Sequence, residues 1–245
     1  MTDLDPVVVL FKGGRLPAWH QLSNEQRREF EQTHVDLMLS VAQQHKMSRL
    51  EGFRLIGPQG DWQRFWLIEF PTMEGAEAWI RAEMAPPYGL YGYYEYHLSR
   101  PLEPERYSAC VTQSAPPIVP RAADPHSIPE LRVDPSSIVV LMFALYRPGA
   151  EALTPVERGD ARHVDLMKGI AREHGLMRLE GFQLLSPQAD WHRAWVIELP
   201  TLEAAEAWVA GEEALPHGMH AKRTIHLARK WAPEYFASWN KRDKT

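Results

Sequence analysis

The stretch HVDLMLSVAQQHKMSRLEGF (His34–Phe53) is followed 129 residues later by HVDLMKGIAREHGLMRLEGF (His163–Phe182). Reading on from each histidine, His34–Glu83 and His163–Glu212 share 29 of 50 residues. Agreement of that density at one fixed offset marks a duplicated unit. The shared positions include Arg49/Arg178, Glu51/Glu180, Trp66/Trp195, Glu69/Glu198 and Trp79/Trp208, and the match reaches, more weakly, His97/His226. Upstream, VVVLF (Val7–Phe11) answers to IVVLM (Ile138–Met142) once two residues of loop are allowed. Only two copies occur, so the pattern predicts paired domains rather than a solenoid.

Between the copies, Ser99–Ser137 carries eight prolines. Proline removes a backbone donor and fixes φ, so this segment reads as a semi-extended linker. The expected organisation is a first domain over residues 1–100, a linker over 101–136 and a second domain over 137–245.

Each copy reads as strand, helix, strand, strand, helix, strand. Val7–Phe11 is β-branched. Ser23–His45 has a helical apolar stripe at Phe30, Leu37, Met38 and Val41, and Ser23 with Gln26 forms a capping-box pattern. Leu50–Ile56 and Arg64–Phe70 read as strands joined through GPQGDW, Thr72 caps a helix to about Glu83, and Tyr93–Leu98 is the last strand. The second copy follows at Ile138–Leu145, Pro155–His174, Leu179–Leu185, Arg193–Leu199, Thr201–Glu213 and Arg223–Ala228. This is an α+β order of the ferredoxin-like type. Helices cover one sheet face and leave the other bare, so the two copies are expected to pack sheet to sheet.

The pattern resembles the dimeric α+β barrel superfamily. RHVDLMKGIAREHGLMRLEGF and VIELPTLEAAEAW are similar to its YCII-related group, over roughly 95 residues of each copy. The resemblance implies an intrachain barrel. It also implies one of the superfamily's activities: cofactor-free monooxygenases, isomerases, dehydrochlorinases or heme-binding members. YCII-type proteins use the helix histidine with an aspartate of a DP motif. Here EMAPPYG (Glu83–Gly89) and EEALPHG (Glu212–Gly218) stand at that place. The aspartate is absent, and Glu83 and Glu212 lie nearby.

His34 and His163 fall on the inward helical stripe, where an imidazole suits proton transfer or serves as a hydrogen-bonded core residue. Glu69 and Glu198, flanked by apolar strand residues, are candidates for a desolvated acid or orienting group. The sequence reading therefore makes His34, His163, Glu69 and Glu198 the catalytic set. Trp66, Trp195, Tyr94, Tyr96, His97, His226, Arg49 and Arg178 form the substrate-binding set, although Arg49/Glu51 and Arg178/Glu180 also read as ion pairs. His45 and His174 read as helix-end residues.

The function expected on these grounds is a small cofactor-independent enzyme, doing acid–base chemistry on a compact aromatic or conjugated substrate. The alternative is a protein that binds a small ligand or a heme without turnover. No cofactor is expected, heme or a single metal ion being the alternatives. No HxH, HExxH or Cys–His spacing occurs. The net charge of -5 gives no excess of cations for phosphates, so no nucleic-acid partner is expected. No apolar run approaches the roughly 18 residues of a membrane span. No signal-peptide pattern opens the chain. The single Cys110 excludes an internal disulfide. A cytoplasmic location and a possible homodimer complete the expectations.

Overall fold

The computed structural model describes residues 6–59, 62–102, 135–188 and 191–238. Cys110 and most of the proline-rich linker lie outside them. The chain divides into two units. Among the described residues, unit 1 comprises 6–100 and 230–238, and unit 2 comprises 101–102 and 135–229. The second domain was expected to run to the last residue. Instead the tail from Lys230 belongs with the first unit, which matters for the site described below.

Unit 1 contains β1 (Val7–Arg15), α1 (Pro17–Gln21), α2 (Asn24–Gln44), β2 (Arg49–Gln59), β3 (Trp62–Phe70), α3 (Met73–Glu83) and β4 (Gly92–Pro101). The sheet is antiparallel in the order β2-β3-β1-β4, with Phe11 opposite both Trp66 and Tyr96. Unit 2 repeats the order with β5 (Ile138–Tyr146), α4 (Pro155–Arg158), α5 (Asp160–Glu173), β6 (Arg178–Gln188), β7 (Trp191–Leu199), α6 (Leu202–Glu213) and β8 (Ala221–Lys230). Its sheet runs β6-β7-β5-β8. The fold is α+β, and among the described residues no helix is long and apolar enough to cross a membrane.

Local chemistry sets the element ends. Ser23 and Gln26 cap α2 reciprocally, and Thr72 and Thr201 accept from the third residues of α3 and α6. Each such cap stabilises its helix by about 1 kcal/mol. His45 and His174 occupy the C-cap positions of α2 and α5. The strands run longer than predicted because the hairpin flanks stay paired beyond the β-branched runs.

The long helix predicted over Pro155–His174 is broken. Gly159 adopts φ +72°, ending α4 and opening α5. A Cβ there would meet the Pro216 ring at 2.5 Å, so only glycine fits the bend.

The sheet's periodicity of two divides the core. In unit 1, Val7, Val9 and Phe11 of β1 and Trp66, Ile68 and Phe70 of β3 pack under Val35, Met38, Leu39 and Ala42 of α2 and Ala76 and Trp79 of α3. Fully burying one such side chain contributes roughly 1.5–3 kcal/mol. The inward helical stripe is shifted from the one predicted: Leu37 is 39% exposed, and its counterpart Leu166 is 41% exposed. Val156, at the start of the helix predicted in the second copy, is 88% exposed. His34 nonetheless stays buried, at the edge of the true stripe.

Candidate functional site

In both units the space between helices and sheet contains a histidine, an aromatic ring stacked on it and a glutamate from the second helix. Each unit builds this set from equivalent positions, 129 residues apart.

In unit 1 the His34 ring lies on the Tyr88 ring, with centroids 3.8 Å apart and planes 12° from parallel. His34 Nε2 is 3.3 Å from Glu83 Oε2, and both side chains are buried. Two guanidinium groups approach the same tyrosine. Arg15 sits 3.8 Å over its ring face and 4.3 Å from the Trp19 ring. Arg64 Nη1 donates to the Tyr88 hydroxyl at 3.4 Å. Burial, followed by the nearby Arg64 charge, lowers the Arg15 guanidinium to about 10. Burial works against the Glu83 charge, but His34, then Arg64 and Arg15, outweigh it and hold the carboxyl below its ordinary value. Burial and the Glu83 charge push the Tyr94 phenol up to about 12.

Little space remains there. A hollow of about 10 Å³ is lined by Phe11, His34, Arg64, Trp66, Trp79 and Glu83. It is closed by Tyr235 and Phe236 of the tail.

In unit 2 the stacked pair is His163 on His217, 3.9 Å apart and 14° from parallel. His217 Nδ1 lies 3.2 Å from Asp160 Oδ1. That carboxylate in turn accepts from Arg158 at 2.8 Å. His163 Nε2 stands 3.8 Å from Glu212 Oε2, and Arg223 Nε donates to the same oxygen at 3.1 Å. Burial, then the His217 and Arg223 charges, lowers His163 to about 4. These surroundings disfavour the protonated imidazole. Its Nδ1 is buried and has no hydrogen-bond partner among the described residues. Burial raises Glu212 above the usual carboxylate range, with only Arg223 opposing it. Here the space is open. A cavity of about 390 Å³ is lined by His163, Met167, Arg193, Trp195, Glu212 and Arg223, among others.

The predicted site residues divide by sheet face. Trp66 and Trp195 line the two hollows, and Tyr94 and Tyr96 stack on Phe11 at the edge of the first. Glu69 and Glu198 are not brought to the histidines. They alternate with Trp66/Ile68 and Trp195/Ile197 and so occupy the opposite face, where Ser48 donates to Glu69 at 2.7 Å and Ser137 to Glu198 at 2.8 Å. On that face too lie His97, 2.5 Å from Glu95, and His226, opposite Leu141. Arg49 and Arg178 are bound to Glu51 and Glu180 in ion pairs. The carboxylates that do meet the histidines are Glu83 and Glu212. The stacking partners Tyr88 and His217 had a visible sign, since PPYG and LPHG occupy matching places at the repeat offset.

Comparison with known proteins gives no match to any family model and none to any curated sequence. Solved structures do match. A variant of chlorite dismutase from Candidatus Nitrospira defluvii superposes with a TM-score of 0.68 at 12% identity, covering 98% of this chain and 96% of that one. The same enzyme in complex with imidazole gives 0.64 at 11% identity, covering 93% and 91%. A protein from Thermus thermophilus, described as a novel heme-binding protein, gives 0.62 at 13% identity, covering 96% and 95%. At these identities the likeness is one of fold: the chain shares the chlorite dismutase-like α+β architecture.

Proposed function

We propose that this is a heme-binding protein, with the unit 2 cavity as its site and His163 as the residue that would hold the iron. The observation that carries the reading is the partly buried imidazole of His163 lining a cavity of about 390 Å³. That volume is within the range of small-molecule sites. A single imidazole is enough to ligate heme iron.

The surroundings fit the group. His217, fixed by Asp160, stacks on His163 and holds its ring plane. Glu212 stands near the other nitrogen as the carboxylate that would take its N–H and strengthen it as a donor. Met142, Met167, Leu179 and Trp195 supply apolar wall, and Arg193 and Arg223 are the cations available to carboxylates. Heme iron, when bound, would supply a redox-active centre.

This corrects the expectation of a cofactor-free enzyme with a histidine as general base. The fold neighbour described as heme-binding stands against it. So does the position of Glu69 and Glu198 on the wrong face to serve such a base. The repeat at the 129-residue offset and the matching element order support a further reading, that the two units descend from one ferredoxin-like β-α-β-β-α-β copy.

Hemin titration of the full chain tests the proposal. The expected result is one heme per chain with a Soret band, abolished or shifted in His163→Ala and unchanged in His34→Ala. Equal binding by wild type and His163→Ala would refute the assignment. Chlorite consumption by the loaded protein reports separately on whether the reaction in the neighbours' names also occurs here.

A further inference from the structure

We infer that unit 1 contains a second ligand site, filled in the free chain by its own tail, and that planar aromatic carboxylates compete for it. This inference is independent of the heme reading, because it concerns the other unit.

The walls of the two hollows correspond. His34, Arg64, Trp66, Trp79 and Glu83 line the first, and their counterparts His163, Arg193, Trp195, Trp208 and Glu212 line the second. Phe11 and Met142 also correspond through the strand match. Yet the volumes are about 10 Å³ and about 390 Å³. In unit 1 the tail is anchored by Trp231 N–H donating to the Gly52 carbonyl at 2.8 Å. Tyr235 then places its hydroxyl 2.7 Å from that of Tyr88 and 3.2 Å from Arg64 Nη1. The Phe236 ring lies 5.4 Å from Trp66 and is 5% exposed. Two aromatic side chains thus line and close the unit 1 hollow.

The tail leaves part of the site's hydrogen-bonding capacity unused. Nε and Nη2 of Arg64 and both Nη atoms of Arg15 are buried without a hydrogen-bond partner among the described residues. The residual hollow has room for about one water, too little to satisfy four donors. Two guanidinium groups face Glu83, whose charge is also shared with His34, while Glu31 stands half-buried at the margin. The phenol oxygen of Tyr235 is a neutral acceptor. A carboxylate on an aromatic ring offers two charged acceptors in the fork geometry that arginine matches, with a ring to replace that of Tyr235 or Phe236. Such a ligand gains what the tail cannot supply, and its apparent affinity is reduced by the fraction of chains in which the tail is seated.

The test uses the full-length chain with 2-naphthoate as probe and calorimetric stoichiometry as readout. The double variant Tyr235→Ala/Phe236→Ala is expected to gain one naphthoate site per chain over wild type. Adding Arg64→Gln should weaken that site at least tenfold. The uncharged naphthalene-2-carboxamide should likewise bind at least tenfold more weakly. No added site in a double variant with native near-UV circular dichroism overturns the inference, as does an added site indifferent to Arg64→Gln. Should the double variant fail to fold, Tyr235→Phe keeps the packing and removes only the hydroxyl. It is expected to bind naphthoate several-fold more tightly than wild type, and unchanged binding also overturns the inference. Loss of hemin binding to unit 2 would leave each of these results as stated.

Discussion

Glu83 and Glu212 are the same residue of the repeat in two electrostatic surroundings, and their neutralisation should have unequal costs. Glu83 is 6% exposed, with His34 Nε2 at 3.3 Å and the guanidiniums of Arg64 and Arg15 as its nearby countercharges. Glu83→Gln leaves two buried cations without their anion. Removing one partner of a buried pair costs about 3–5 kcal/mol. A glutamine amide still reaches His34 and recovers about 1 kcal/mol, so the net loss is about 2–4 kcal/mol. Glu212 differs. Burial already disfavours its charge, its histidine is 3.8 Å away, and Arg223 keeps a second acceptor in the Gly218 carbonyl at 3.2 Å. Glu212→Gln therefore relieves desolvation while losing one ion pair, for a net loss of about 1 kcal/mol. Urea denaturation followed by tryptophan fluorescence at pH 7 measures both. In a chain of this size about 3 kcal/mol corresponds to a fall of roughly 6–12 °C in thermal midpoint. A Glu83→Gln loss below about 1 kcal/mol, or a Glu212→Gln loss as large as it, would refute the reasoning.

Three other outcomes follow from the same geometry. Glu95 is held down to about 2, first by the hydrogen bond from His97 and then by Lys12 against the effect of burial. Its contribution is therefore present above about pH 4.5 and lost as pH falls toward 2; thermal midpoints of Glu95→Gln and wild type should converge over that window, and a constant gap would contradict it. Gly159→Ala places a Cβ against Pro216 at a left-handed φ and should cost about 2–3 kcal/mol in urea titrations; a loss under about 0.5 kcal/mol would show the bend to be adaptable. Lys46 adopts φ +53° where its counterpart Gly175 has +67°, so Lys46→Gly should raise stability by about 0.5–1 kcal/mol, and a fall would contradict that.

Much of this fold is written locally. The Ser23–Gln26 and Thr72 caps, the β-branched runs and the prolines around the strands each determine an element by contacts within a few residues. What depends on long-range packing is less visible. The helical stripe through His34 admits two phases, and periodicity alone does not choose Leu39 over Leu37. Strand alternation groups Glu69 with Phe65 and Leu67 on one face, as the structure does. Which face the helices cover is a tertiary choice, and it places Glu69, Glu198, His97 and His226 away from the histidines of the helices. The break at Gly159 depends on a proline 57 residues further along, and the closing of unit 1 depends on the tail. Neither leaves a periodic signal. The duplication itself was the strongest guide, because it pairs Tyr88 with His217 and Glu83 with Glu212 before any contact is known.

Diffraction from crystals of the full chain grown with hemin, with anomalous data collected at the iron edge, tests the central claim most directly. The account predicts one iron peak per chain, within bonding distance of a His163 ring nitrogen and absent beside His34. An iron peak at His34, or a heme bound elsewhere with the His163 cavity empty, would contradict it.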